Sequence, residues 1–203
     1  MSHLLVATQN KGKLKEILRI FGAQIPDLTL HTLDEFPDAE DVEESGDTFE
    51  ENALIKARAG YALSGMPTLA DDSGLVIDAL GGRPGIHSAR YSGQGVAANI
   101  EKVLAEMEGI ADPLRTARFV TVAAFVAADE ILARGEFEGV ITRATRGEGG
   151  FGYDPIFQPI GLDQTLAQLT AAQKDEMSHR GRALRELAPQ VAIRFVQIQR
   201  PVE

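Results

Sequence analysis

The sequence predicts an α/β fold built on a mixed β-sheet flanked by helices. Three observations carry this. Short apolar strand patterns alternate with helical ones over the first half. Two long apolar runs then follow each other, joined around Ala128-Asp129-Glu130, which is a hairpin and so antiparallel. No internal repeat, low-complexity tract or linker separates the pieces, so residues 1–203 are expected to form one domain.

The elements follow in order. His3 to Ala7 is a short apolar strand pattern, and Gly12 opens a helix with Leu14, Ile17, Leu18 and Phe21 at helical spacing. Leu28 to Leu33 reads as a second strand. Asp34 to Glu44 is acidic, contains Pro37 and reads as a loop. Asp47 or Thr48 caps a helix that runs to about Leu63, with Glu50 or Glu51 in its first turn. Thr68 to Ala70 and Leu75 to Ile77 read as strand interrupted by a polar turn, Asp71-Asp72-Ser73-Gly74. Gly81 to Gly85 is a loop, and Val96 to Met107 is helical. Thr116 to Ala128 and Ile131 to Val140 form the hairpin, and Gly147 to Asp154 is a glycine-rich loop. Ser178 to Leu187 is helical. Pro189 is expected to break or restart that helix, and the last dozen residues fit helix and strand equally.

Composition narrows the chemistry. Cysteine is absent, which excludes disulfides, thiolate zinc sites and a cysteine nucleophile. The formal net charge of −10 repels long polyanions, so nucleic acid is not an expected partner. No apolar run approaches the roughly 18–20 residues needed to span a membrane, and no secretory segment opens the chain. A cytoplasmic location is the expectation.

Four segments can carry chemistry. Thr8-Gln9-Asn10-Lys11-Gly12-Lys13 joins a strand to a helix start, where amide groups and the helix dipole favour phosphate. It is not a P-loop: that pattern requires Gly at position 7 and Ser or Thr at position 14, where Ala7 and Leu14 stand. A solvated turn fits the same residues. Glu43-Glu44 and Asp71-Asp72 offer carboxylates of the kind Mg²⁺ takes beside phosphate and water, or equally a charged loop and a hydrogen-bonded turn. If Asp71 and Asp72 lie in a strand, alternation turns only one of them toward a site. Phe151-Gly152-Tyr153-Asp154 places two rings on flexible backbone, as a stacking platform for a base or as a turn folded into the core. Lys174 and Ser178-His179-Arg180-Gly181 bring donors that suit a purine 6-oxo group, or a helix start with solvated charges.

Taken as an ordered set, these segments, together with Phe49-Glu50-Glu51-Asn52-Ala53, Lys56-Ala57 and Pro84-Gly85-Ile86-His87-Ser88-Ala89-Arg90-Tyr91, resemble the inosine triphosphate pyrophosphatase family, the non-standard purine nucleoside triphosphate pyrophosphatases. The resemblance covers nearly the whole chain. Gln9 fills a variable position of the first motif, and Pro189 lies beyond the last one.

The resemblance implies an elongated α/β fold with two lobes around a central substrate cleft, a homodimer and dependence on Mg²⁺. It implies hydrolysis of ITP, dITP and XTP to monophosphate and pyrophosphate. By the same match Thr8, Asn10 and Lys13, with Gln9, Lys11 and Gly12 between them, bind the triphosphate. Glu44 and Asp72 are the metal-associated acids, Asp72 also the proton acceptor. Lys56 faces the phosphates and Ser73 touches substrate. Phe151, Gly152, Tyr153 and Asp154 form the nucleotide loop, with Phe151 stacking the base. Lys174, His179 and Arg180 read the base. A related pyrophosphatase of the septum-inhibitor type and a nucleotide-binding regulator without turnover are the rival readings.

Overall fold

The computed structural model describes residues 2–25 and 27–198. Among them one six-stranded sheet forms, in the order β2-β1-β3-β4-β5-β6. The strands are β1 (Ser2–Val6), β2 (Leu28–Thr32), β3 (Thr68–Ile77), β4 (Thr116–Val126), β5 (Glu130–Ile141) and β6 (Phe157–Pro159). The helices are α1 (Lys11–Gln24), α2 (Phe49–Ser64), α3 (Val96–Glu106), α4 (Ala171–Met177) and α5 (His179–Ile198). β1 runs parallel to β2, with Leu4 opposite Leu30, and parallel to β3, with Leu5 opposite Thr68. β5 and β6 are antiparallel, with Val140 opposite Gln158. The sheet is therefore mixed, as the alternation of patterns followed by a hairpin predicts.

Two compact units divide the chain. The first comprises residues 1–72, 121–135 and 180–203. In its core, Leu4 and Val6 of β1, Ile17 and Phe21 of α1, Leu69, Phe125, and Leu184, Leu187, Val191 and Phe195 of α5 pack together. The second comprises residues 73–120 and 136–179. Its core gathers Leu75, Ile77, Ile100, Val103, Met107, Phe119, Phe137, Phe157 and Leu166.

Both α1 and α2 begin on side-chain caps, and Thr48 is one of the two caps the sequence offers for α2. Asn10 is the N-cap of α1, its side chain accepting from Gly12 N and Lys13 N at 2.9 and 3.1 Å. Thr48 caps α2 and accepts from Glu51 N at 3.1 Å, while the Glu51 carboxylate bonds back to Thr48 N at 3.2 Å, which completes a capping box.

Three expectations are corrected. Asp71 to Gly74 is not a turn: β3 runs unbroken from Thr68 to Ile77. Asp, Ser and Gly favour turns locally, but cations from other segments neutralise both carboxylates and leave the strand ladder intact. Pro189 neither breaks nor restarts the last helix, and α5 continues as helix to Ile198. A proline inside a helix costs about 3 kcal/mol. Burying Val191 and Phe195 beyond it, each at about 1.5–3 kcal/mol, offsets that. Helix α4 precedes Ser178, which is extended and separates it from α5. Two short elements, α4 and β6, have patterns too brief to read from periodicity.

Candidate active site

In the first unit, the turn after β1 delivers Lys13. Thr8 Oγ1 accepts from Asn10 N at 3.3 Å, and Asn10 occupies two of the first-turn amides of α1. The expectation of unengaged amides facing a phosphate is thus corrected for Gly12 and Lys13: the cap holds both, and positive charge comes from the Lys13 side chain. Gln9 and Lys11 are exposed, while Thr8, Gly12 and Lys13 are half-buried.

Lys13 Nζ lies 3.2 Å from Asp71 Oδ2. The same Asp71 oxygen accepts from Arg180 Nε at 3.2 Å, and Arg180 also bonds Glu16 at short range. Glu16 sits one turn along α1 from Lys13, on the same face. Four buried or half-buried charges therefore run in sequence: Lys13, Asp71, Arg180, Glu16. Burial lowers the Lys13 pKa, and Asp71 offsets only part of this. For Arg180 burial pulls the same way, but Asp71 and Glu16 outweigh it and raise the value.

A second cluster centres on Lys56. Its Nζ lies 2.8 Å from both Glu44 Oε1 and Asp72 Oδ1. Helix α2 comes close to the sheet because residue 60 is glycine: a Cβ there would sit 2.7 Å from Thr68 Cγ2 and 3.0 Å from Ala7 Cβ. Lys56, one turn earlier, shares that approach. Asn52, another turn back and fully buried, accepts from Gly46 N at 2.9 Å and so ties down the segment that carries Glu44.

Burial raises the Asp72 pKa above the ordinary carboxylate value, with Lys56 and Lys13 pulling against it. Burial also opposes charge on Lys56, but Asp72 and Asp71 together with the two hydrogen bonds win and raise its pKa. Lys56 is thus a cation bridging two carboxylates. Among the described residues, Asp72 Oδ2 and Asn52 Nδ2 are buried with no hydrogen-bond partner. Buried polar atoms ordinarily have one, so each of these two atoms keeps hydrogen-bonding capacity to spare.

The second unit holds the loop. Phe151 is half-buried, and Lys174 Nζ sits 4.3 Å from its ring centroid. Asp154 is buried and organises the segment: it accepts from Phe151 N at 2.8 Å and pairs with Lys174 Nζ at 2.6 Å. Gly150 has φ of +71°, and a Cβ there would fall 2.1 Å from Asp154 Oδ2, so glycine is required. Gly152 is also left-handed. Tyr153 turns inward, its hydroxyl donating to Ser88 O at 2.8 Å, and burial pushes its phenol up. His179 is buried and stacks on Phe119, ring centroids 4.8 Å apart and planes 10° apart. Ser73 is half-buried in β3.

The structure thus groups Lys13 with Asp71 and Arg180, Glu44 with Lys56 and Asp72, and Phe151 with Asp154 and Lys174. Arg180 keeps company with Asp71 and Glu16, and Asp154 bonds Phe151 N in its own loop and Lys174 on α4. Sequence reasoning gave no role to Glu16 or Asn52. Glu16 was signalled only by its spacing, three residues after Lys13, and Asn52 by its place in the Phe49–Ala53 motif, four residues before Lys56.

The comparisons with known proteins point one way. The dITP/XTP pyrophosphatase of Nocardia farcinica is 50% identical over 197 residues, covering 95% of this chain and 96% of that protein. The dITP/XTP pyrophosphatase of Geobacter sulfurreducens is 49% identical over 188 residues, covering 91% and 94%. Among solved structures, a Ham1 protein from Coxiella burnetii superposes with a TM-score of 0.85 at 39% identity, covering 95% of this chain and 100% of that one. The crystal structure titled nucleoside-triphosphatase / dITP/XTP pyrophosphatase from Mycobacterium abscessus gives a TM-score of 0.75 at 45% identity, covering 92% and 99%. The sequence model of the Ham1 family matches residues 4–190. With that match spanning all the segments described above, the chain belongs to the Ham1 family.

Proposed function

We propose that this protein hydrolyses deaminated purine nucleoside triphosphates, ITP, dITP and XTP, to the monophosphate and pyrophosphate. Relatives at about half identity over nearly the whole chain carry the name dITP/XTP pyrophosphatase, which supports the substrate class. The observation that carries the chemistry is the buried Asp72 carboxylate. One oxygen is held by Lys56, and the other has no partner among the described residues.

The residues fit a hard divalent ion. Glu44 and Asp72 present oxygens to a single nitrogen, so one cation can meet both. Mg²⁺ usually takes one or two carboxylates beside phosphate and water. No cluster of three or more acids and histidines gathers as a metal cage among the described residues, and this ion needs none. When bound, Mg²⁺ supplies positive charge against the triphosphate and Lewis acidity toward water. Asp72 orients the attacking water and accepts its proton. The water oxygen bonds to the α-phosphorus, the bridging bond to the β-phosphate breaks, and pyrophosphate departs. Lys13 and Lys56 counter the charge on the leaving oxygens. Thr8, Asn10 and the neighbouring turn position the phosphates.

In the second unit, Phe151 is the ring on which the base stacks, held in place by Asp154 and Lys174. Lys174 and His179 are the donors closest in sequence and chemistry to a 6-oxo reader. An adenine amine would leave such donors unmatched, which is costly when they are buried. Arg180 supports Asp71 from behind. The proposal extends to a homodimer, which the family resemblance supports, and to the cytoplasm, where removing deaminated nucleotides keeps them out of DNA and RNA. No helix among the described residues is long and apolar enough to cross a membrane.

The test is pyrophosphate release from inosine, xanthosine, adenosine and guanosine triphosphates with Mg²⁺. kcat/KM should be at least about tenfold higher for the first two, a floor well below the roughly 10⁴-fold that unmatched buried hydrogen-bonding groups can supply, and chelation should abolish it. Asp72→Asn should lower kcat by about 10²-fold or more. Turnover near that of the parent protein would remove Asp72 from the role.

A further inference from the structure

The Pro84–Tyr91 motif takes no part in the chemistry proposed above, yet it is firmly held within the second unit. Its short 3₁₀ helix, Gly85–Arg90, is fixed from two sides. Ser88 Oγ accepts from Leu75 N of β3 at 2.8 Å and donates to Gly85 O at 2.6 Å. Asn99 of α3 is buried, and its Nδ2 donates to Ala89 O at 3.1 Å and to Ser88 O at 3.3 Å. Its Oδ1 accepts from Ser92 N at 2.7 Å. The segment is thus pinned both to the strand that carries Ser73 and to α3. Ser88 O takes one more bond, from the Tyr153 hydroxyl at 2.8 Å.

That bond joins the pinned segment to the nucleotide loop. Phe151 stands between Gly150 and Gly152, both left-handed with φ of +71° and +61°. Glycine makes such a turn possible but gives it little stiffness, so stiffness has to come from tethers. Asp154 supplies one through Lys174 of α4, and Gly149 N supplies another by donating to Ala167 O at 3.0 Å. Both lead to residues that follow the loop. Tyr153 leads the other way, to a residue 65 positions earlier. Its ring is buried in the core that holds Leu75 and Phe157. A phenol has one proton to donate, and this one already goes to a carbonyl of the fold.

We propose that Tyr153 is a positioning residue and not a substrate contact: its hydroxyl ties the nucleotide loop to Ser88 O and so holds the Phe151 ring in place before a base arrives. The proposal rests on the reading of Phe151 as the base-stacking ring. A platform ordered beforehand loses less freedom when the nucleotide binds. The tether therefore acts on affinity and leaves the bond-breaking step alone. It also gives the Pro84–Tyr91 motif its part in the site, as the abutment behind the loop.

Tyr153→Phe tests this, because it keeps the buried ring and removes only the hydroxyl. Amide hydrogen exchange reads the loop without substrate. The Phe151 amide donates to Asp154 Oδ2 at 2.8 Å and the Asp154 amide to Phe151 O at 3.3 Å. Protection of both should fall about two- to tenfold, the equilibrium equivalent of one net hydrogen bond. Ser88→Ala, which frees the abutment from Leu75 N, should lower protection of the same two amides. In pyrophosphate release, Tyr153→Phe should raise KM by about two- to tenfold, equally for ITP and XTP, with kcat within about twofold of the parent protein. Loop protection unchanged in either variant would overturn the proposal. So would a KM shift under about twofold, a loss confined to kcat, or a shift that differs between the two bases, the mark of a direct contact. Turnover by the parent protein decides the pyrophosphatase reading separately, and the exchange measurement stands whichever way that falls.

Discussion

The Asp154–Lys174 pair offers a direct measure of how the nucleotide loop is held. Their side chains are 3% and 6% exposed, and their charged atoms are 2.6 Å apart. Asp154 also accepts from Phe151 N. Asp154→Asn keeps the shape and an acceptor for that amide but removes the charge that compensates a buried ammonium. Removing one partner of a buried pair costs about 3–5 kcal/mol. With a urea dependence of about 2 kcal/mol per molar, the unfolding midpoint should fall by roughly 1.5 M or more. Adding Lys174→Met should recover most of this, because the uncompensated cation is gone. KM should remain raised in the double variant, since Phe151 has lost both the ammonium beside its ring and the charged anchor of its backbone. If Asp154→Asn shifted the midpoint by less than about 0.3 M while raising KM, the carboxylate would be a plain substrate contact and the argument from burial would fail.

Two further predictions concern the buried Arg180 and the half-buried Tyr91. Arg180→Met should destabilise the protein by about 3–5 kcal/mol in denaturant titration, because Asp71 and Glu16 lose the guanidinium between them; a change confined to substrate preference, with stability untouched, would contradict the structural role given to it. Tyr91 donates to Glu106 Oε2 at 2.6 Å, and burial followed by that bond pushes its phenol up to about 12. Its contribution to stability is fully present below the unfolded tyrosine value near 10, and is lost as pH rises from there through about 12. Phenolate absorbance should show this late ionisation and Tyr91→Phe should remove it, while ionisation near 10 in the folded protein would refute the assignment.

Much of the fold was legible because it is written in local chemistry. Thr48 announces a helix start by being an acceptor placed just before an apolar repeat. The long β4–β5 hairpin shows in two apolar runs joined around Ala128-Asp129-Glu130. The family was legible as an ordered set of motifs, and the comparisons then established it. What the sequence could not give was partnership. Asp71-Asp72-Ser73-Gly74 reads as a turn because local propensity registers only short polar residues. It is a buried strand because Lys13, Lys56 and Arg180, up to 109 positions away, bring the charge that makes its burial tolerable. Pro189 reads as a helix break because the missing hydrogen bond is local, whereas the apolar face that holds α5 together is completed by side chains from β1, α1 and β4. Arg180 reads as a ligand donor, and the fold adds ion pairs to Glu16 and Asp71 that its neighbours in sequence do not announce. Periodicity, caps and motif order belong to neighbouring residues and survive in the sequence. Whether a charge faces a substrate or another buried charge depends on distances across the fold, and only the tertiary structure decided it.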